Sequence, residues 1–262
     1  MEHIYDIHTH IFPQKIAARG VENIGKFYGL QMRCDGTGES LGTLLVPGMK
    51  CVISSASLKE DTMSIGNDFL LGFAKRNENF IPFSSFFPFC SVLDAAHELE
   101  RCKKLGTKGV KMHPDFQQYY LDDPHAVEIY RVCAELELPV MFHVGDRRYD
   151  YSSPRRTLNV AEKLPDLKII AAHMCGYSVW DEAEKYLIGT NVYTETSDSL
   201  DNMEPGALAD MIRRHGVDKV MFGSDFPIIS PSDEYERFKN VPLTDEEKKK
   251  ILTENAEKLL DL

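Results

Sequence analysis

Positive charge is in short supply: 30 lysines and arginines stand against 41 aspartates and glutamates, for a formal net charge of −11. That field is wrong for a nucleic-acid backbone or an anionic membrane surface, so an acidic substrate would have to be held by local cations. Long hydrophobic runs are also missing; none approaches the roughly 20 residues that span a bilayer. Cys34, Cys51, Cys90, Cys102, Cys133 and Cys175 include no CxxC pair. Their scatter argues against a disulfide framework or a cysteine-ligated zinc and reads as reduced, mostly structural thiols. No repeat of fixed period, low-complexity segment or interdomain linker is present, and 262 residues suit a single domain over 1–262. A strand candidate already at Ile4 leaves no room ahead of it for an export signal, so the expected location is the cytoplasm.

What is there is alternation. Short β-branched or apolar runs recur at 4–7, 51–55, 81–87, 109–112, 140–144, 168–172, 191–196 and 219–223. Between most of them lies a segment of helical spacing. In SVLDAAHELERCKKLG, Leu93, Ala96, Leu99 and Cys102 share a predicted face and Gly106 supplies a stop. The final segment opens with a capping box formed by Thr244 and Glu247, and its Ile251, Leu252, Leu259 and Leu260 are expected to pack inward. Strand and helix alternating in this way predict an α/β fold, a (β/α)8 TIM barrel, with a doubly wound open sheet as the main rival. The first connection, residues 11–49, is too long for an ordinary loop and is expected to carry extra helix over the barrel mouth.

In such a barrel the reactive groups sit at the C-terminal ends of strands. Asp6, His8 and His10 in IYDIHTH share a face if the strand alternates strictly. Lys111 and His113 close strand four, His143 strand five, His173 strand six and Asp225 strand eight. A single histidine in an apolar strand is usually a hydrogen-bonded core residue. Their shared placement points instead to a divalent metal held by neutral imidazoles and a carboxylate, with an open position for water or substrate. Zinc is the first expectation, and manganese and iron remain open.

IYDIHTH, FHVGD, AAHMCG and MFGSDFP, in that order at strands one, five, six and eight, resemble the amidohydrolase superfamily. More narrowly they resemble its amidohydrolase-related branch, which includes non-oxidative decarboxylases of the aminocarboxymuconate semialdehyde type. The resemblance covers essentially the whole chain; the ordered set is specific, whereas HxH alone is not. It implies His8, His10, His143 and Asp225 as metal ligands and puts His173 at the family's acid/base or carbonyl-polarising position. Many binuclear relatives carry a bridging carboxylated lysine in strand four, where Lys111 lies; the mononuclear branch uses that strand for substrate. One ion is favoured here, with Lys111 and His113 as substrate contacts, although Pro114 suggests the chain is already turning away.

A metal lowers the pKa of its bound water towards about 7, so the leading expectation is a hydrolase of a small amide, lactone or ester. Asp225 would move the water's proton and His173 would hydrogen-bond the oxyanion. The alternative is a metal-dependent decarboxylase of an unsaturated or aromatic carboxylate, and the second alternative a metal-binding protein without catalysis. In the loop after strand five, Arg147 and Arg148 are candidate carboxylate clamps beside Tyr149 and Tyr151, while Arg155 and Arg156 read as the exposed first turn of the next helix. Blander roles suit the rest: His97, His125 and His215 as surface or cap residues, Cys175 as a small buried thiol, Trp180 as a helix anchor. A homodimer is the expected assembly, with a small molecule as the substrate.

Overall fold

Each of the eight apolar runs forms a strand, and each strand pairs in parallel with its successor. The computed structural model describes residues 3–262. The strands are β1 (Ile4–His10), β2 (Met49–Ser54), β3 (Phe80–Ser84), β4 (Gly109–Met112), β5 (Val140–Phe142), β6 (Ile169–Ala171), β7 (Tyr193–Glu195) and β8 (Val220–Met221). The sheet closes through Ile7 N donating to Phe222 O (2.9 Å), Asp225 N to His8 O (2.8 Å) and His10 N to Phe226 O (2.8 Å). This is the TIM barrel the alternation predicts. Among the described residues, no helix is long and apolar enough to cross a membrane.

Helices fill the connections: α1 (Gln14–Tyr28), α2 (Gly38–Thr43), α3 (Met63–Lys75), α4 (Val92–Lys104), α5 (Pro114–Gln117) and α6 (Pro124–Glu135) in the first half. The second half carries α7 (Pro154–Lys163), α8 (Trp180–Tyr186), α9 (Pro205–His215), α10 (Pro231–Phe238), α11 (Asp245–Lys249) and α12 (Asn255–Leu260). The long first connection does hold extra helix: α1 ends at Gly29, whose φ of 69° needs no Cβ. Thr244 and Glu247 make the expected capping box.

Side chains alternate between two cores. Val52, Ile81, Phe83, Met141, Ile170 and Met221 fill the barrel with Tyr5 and Ile7, and Leu259 and Leu260 of α12 plug it. Cys51, Ile53, Val110, Val140, Phe142 and Ala171 face the helices. Burying an aliphatic or aromatic side chain of this kind contributes about 1.5–3 kcal/mol, so the two layers together hold the strand ends rigid.

Three sequence expectations are corrected. On α4 the buried face is Ala95, Glu98, Leu99 and Cys102, and Leu93 is exposed; Glu98 is admitted because Asn67 and Arg101 bond its carboxylate. His215 is buried, its Nε2 2.9 Å from Val192 O. Strict alternation also fails in β1, where the register shifts between Asp6 and Thr9. Asp6 Oδ1 there accepts from the backbone N–H groups of His8 and Ser224 (both 3.1 Å) and braces the irregularity.

Candidate active site

The strands end early at the site. Pairing stops at Phe142, Ala171 and Met221, and His143, His173 and Asp225 follow on chain that is already turning. His173 and Asp225 adopt φ values of 59° and 56°, a left-handed backbone rarely taken by residues other than glycine, asparagine and aspartate. That turn aims their side chains back over the barrel end.

Hydrogen bonds on the far side of each ring set the tautomers of the β1 histidines. His8 Nδ1 lies 2.8 Å from Glu195 Oε1, and a carboxylate only accepts, so Nδ1 carries the proton and Nε2 a lone pair. His10 Nδ1 lies 3.0 Å from Ser54 Oγ, whose own proton goes to Thr9 O; His10 Nε2 is therefore a lone pair as well. The two Nε2 atoms are 3.1 Å apart. Asp225 Oδ1 lies 3.2 Å from the second and 3.5 Å from the first.

Burial lowers the His10 pKa to about 4, keeping the ring neutral. At Asp225 burial acts upward but is outweighed by His8, His10 and His173, which hold its carboxyl well below the usual range. Three acceptors thus converge on one point, an arrangement that calls for positive charge there. Two imidazole lone pairs and a carboxylate oxygen are donors that suit a divalent first-row metal. In this structure Lys111 Nζ, 2.6 Å from His8 Nε2, faces the same point. Burial lowers its pKa to about 8.

His143 stands one ring away from this group. Its Nε2 is 2.8 Å from Gly145 O, and its Nδ1 is 3.0 Å from His173 Nε2. His173 is wholly buried, with Nδ1 2.9 Å from Ser197 Oγ and 3.3 Å from Asp198 Oδ2. A chain of hydrogen bonds therefore runs from Ser197 through His173 to His143, with the Asp198 carboxyl alongside. Burial pushes the His173 pKa down to about 4 and the Asp198 carboxyl well up, so the imidazole is neutral and the acid holds its proton. Trp180 anchors this corner, its Nε1–H donating to His173 O (2.9 Å).

His113 does reach the site despite Pro114, because the chain turns only after its side chain is committed. Its ring stacks on His143 (4.1 Å, 7°) and on Phe116 (3.9 Å, 21°). Tyr28, at the end of α1, sets its hydroxyl 2.9 Å from His113 Nε2. A polar recess of about 20 Å³ is bounded by His8, His10, Lys111, His113, His143 and Asp225.

The two arginines proposed as clamps line neither this recess nor the larger cavity beside it. Arg147 is exposed and donates to Ser178 O (2.8 Å). Arg148 is taken by Asp146, two residues earlier (2.6 Å), and lies over Phe27 (4.7 Å) while bonding its carbonyl. A carboxylate nearer than any ligand has claimed it. Arg156, read as exposed, is anchored by Asp122 and Asp150.

Glu195, Ser197, Asp198 and Tyr28 were not picked out from the sequence. Glu195 carried a usable signal: it closes the apolar run of β7, the same criterion that singles out Lys111 and His143. Its Oε1 accepts from His8 Nδ1, His173 N and Ser197 Oγ (each 2.8 Å), and Oε2 accepts from Ser197 N (2.6 Å).

Residues 5–262 match the amidohydrolase family model. The chain is 26% identical over 273 aligned positions to the γ-resorcylate decarboxylase of Polaromonas sp. strain JS666, covering 84% of this chain and 82% of the relative. A dihydroxybenzoic acid decarboxylase structure from that strain, with manganese and 2-nitroresorcinol bound, superposes with a TM-score of 0.77 at 20% identity, over 100% of this chain and 98% of the other. So does the 5-carboxyvanillate decarboxylase of Novosphingobium aromaticivorans with manganese and 4-hydroxy-3-methoxy-5-nitrobenzoic acid, at 0.77 and 18%, over 100% and 96%. At these identities the structures establish the fold. The expectation of amide, lactone or ester hydrolysis is corrected by the same comparisons, since each of these relatives is named for decarboxylation.

Proposed function

The chain belongs to the amidohydrolase family, and from that premise we propose that it is a metal-dependent, non-oxidative carboxy-lyase acting on a small aromatic or unsaturated carboxylate. The observation that carries the proposal is the convergence of His8 Nε2, His10 Nε2 and Asp225 Oδ1 beside a recess sized for one small head group. Those three residues hold the cation. The Nδ1 lone pair of His143, here engaged by His173, is the fourth donor. Manganese is the first metal to test, with zinc and iron as alternatives. When bound, the ion would supply positive charge to the substrate's carboxylate or an adjacent oxygen.

The remaining chemistry is proton delivery. Loss of carbon dioxide breaks a carbon–carbon bond, leaves its electron pair on the substrate carbon, and requires one proton there. Asp225, ionised in the resting site, borders the recess and is the catalytic residue placed to relay that proton to carbon after taking it up from water or from the substrate's own hydroxyl. His173 does not border the recess and is a positioning residue, its ring held by Ser197 and set against His143. Lys111 and His113 border the recess and orient the head group. Tyr28 and Phe116 exclude water from it.

The test is carbon dioxide release from a panel of hydroxyarene and unsaturated carboxylates by manganese-loaded protein. Release that stops on chelation, returns with manganese and is lost in Asp225→Asn is the expected result. Metal analysis should find about one ion per chain. No release from any acid, with the metal site filled, would overturn the proposal.

A further inference from the structure

Next to the polar recess lies a cavity of about 260 Å³ that shares His10, Ile24, His113 and Phe116 with it as common walls. Its other walls include Phe12, Phe27, Ala56 and Leu58, and its polar side chains beyond the shared histidines are Ser55 and Asn23. Asn23 is exposed on α1. The two spaces divide a ligand sharply. The recess, at about 20 Å³, is little more than the space of one water, about 10–15 Å³, so it takes a single small polar group. Everything else in the ligand must occupy apolar surroundings.

We propose that the substrate is an aromatic monocarboxylate with an extended apolar body, a fused bicyclic ring or an alkylated ring, seated between α1 and Phe116 with its carboxylate in the recess. The proposal rests on the carboxy-lyase reading and narrows its substrate class. Size supports it: a cavity of about 150 Å³ lined by leucine, isoleucine and phenylalanine holds benzene, and the cavity here, about 260 Å³, has room for a second ring. Shape agrees, because the Phe116–His113–His143 stack offers a flat aromatic wall.

Polarity sharpens the choice. With Arg147 and Arg148 engaged elsewhere, no guanidinium among the described residues lines the cavity to receive a second carboxylate. A second ring hydroxyl directed away from the carboxylate would exchange water for the apolar faces of Phe12 and Phe27, which disfavours binding. One hydroxyl ortho to the carboxylate is compatible, since it stays at the recess. It is also useful: protonating the ring carbon that bears the carboxylate leaves a cation that an ortho oxygen stabilises, after which the carbon–carbon bond breaks, its electrons restore the ring and carbon dioxide departs.

The experiment compares 3-hydroxy-2-naphthoate, salicylate and 2,4-dihydroxybenzoate, whose second hydroxyl lies para to the carboxylate, as ligands of the manganese-loaded protein. Binding is followed by naphthoate fluorescence and by competition, and carbon dioxide release is measured in parallel. The naphthoate is expected to bind at least about tenfold more tightly than 2,4-dihydroxybenzoate. Ala56→Leu, which fills the cavity from a surface loop, should weaken naphthoate about tenfold and salicylate less than about threefold. A melting curve checks that the variant folds, and the wild-type comparison stands without it. Equal or tighter binding of 2,4-dihydroxybenzoate, or an equal effect of Ala56→Leu on all three, would overturn the inference. Tight naphthoate binding without carbon dioxide from any acid would remove the carboxy-lyase reading and leave the ligand class standing.

Discussion

Replacing Glu195 by glutamine tests whether a residue that touches no ligand governs the metal. The carboxylate accepts four hydrogen bonds, three at Oε1 and one at Oε2 from the Ser197 backbone N–H. A carboxamide of the same shape keeps its oxygen at the Oε1 position and so retains His8 in its tautomer. Its NH2 then faces Ser197 N–H at the 2.6 Å contact, donor against donor. Leaving that buried N–H unpaired costs about 1–3 kcal/mol, and the bond to His8 loses its charge assistance. The melting temperature should fall by roughly 2–4 °C for each kcal/mol lost in a chain of this length. The more telling readout is the metal: with His8 less basic at Nε2, manganese affinity should drop about 10- to 100-fold, as for other outer partners of ligating histidines. Titration of manganese against a competing chelator, on protein shown to be folded, measures it. A folded Glu195→Gln protein with unchanged manganese affinity would refute the assignment of Glu195 as the residue that sets the His8 donor.

Two further perturbations address the surroundings of the site. A Cβ at Gly223 would fall on the Glu195 carboxylate and within 3.0 Å of His8 Cβ, so Gly223→Ala should lose both melting temperature and metal; a variant matching wild type in both would show that the Glu195 corner yields freely. Burial raises the Glu234 carboxyl from 4.5 to about 7, against the pull of Arg237, and its Oε1 has no hydrogen-bond partner among the described residues. The folded protein therefore keeps a proton there that the unfolded chain has released, so stability falls as pH rises from 4.5 to about 7, by up to ~3 kcal/mol. Glu234→Gln should melt higher than wild type at pH 8, by less than that bound because it gives up the ion pair to Arg237, and the gain should vanish near pH 4.5. A difference in melting temperature that does not change with pH would rule the explanation out.

Barrel strands are legible in sequence because each is buried on both faces and so reads as a short apolar run, and a polar residue closing such a run marks the end where chemistry sits. That criterion reaches His8, His10, Lys111, His113, His143, His173 and Asp225, and applied to β7 it reaches Glu195 too. It does not reach Tyr28, which arrives from α1 through tertiary packing alone, nor the register shift in β1 that turns Asp6 away from His8 and His10. Arg148 is a related case. A charged residue near a strand end signals a ligand contact only if no closer partner claims it, and Asp146 does. The choice between hydrolysis and decarboxylation lies deeper still. Both reactions are served by the same imidazoles, the same carboxylate and the same cation, so residue types at strand ends do not separate them. What separates them is what must be brought to those groups: hydrolysis needs an attacking water, whereas decarboxylation needs the carboxylate held and a proton brought to carbon. The recess of about 20 Å³ and the apolar cavity of about 260 Å³ beside it leave room for either, so the choice rests on the decarboxylase relatives; the two spaces are assembled from α1, the loop after β2 and α5, three segments whose meeting no local pattern announces.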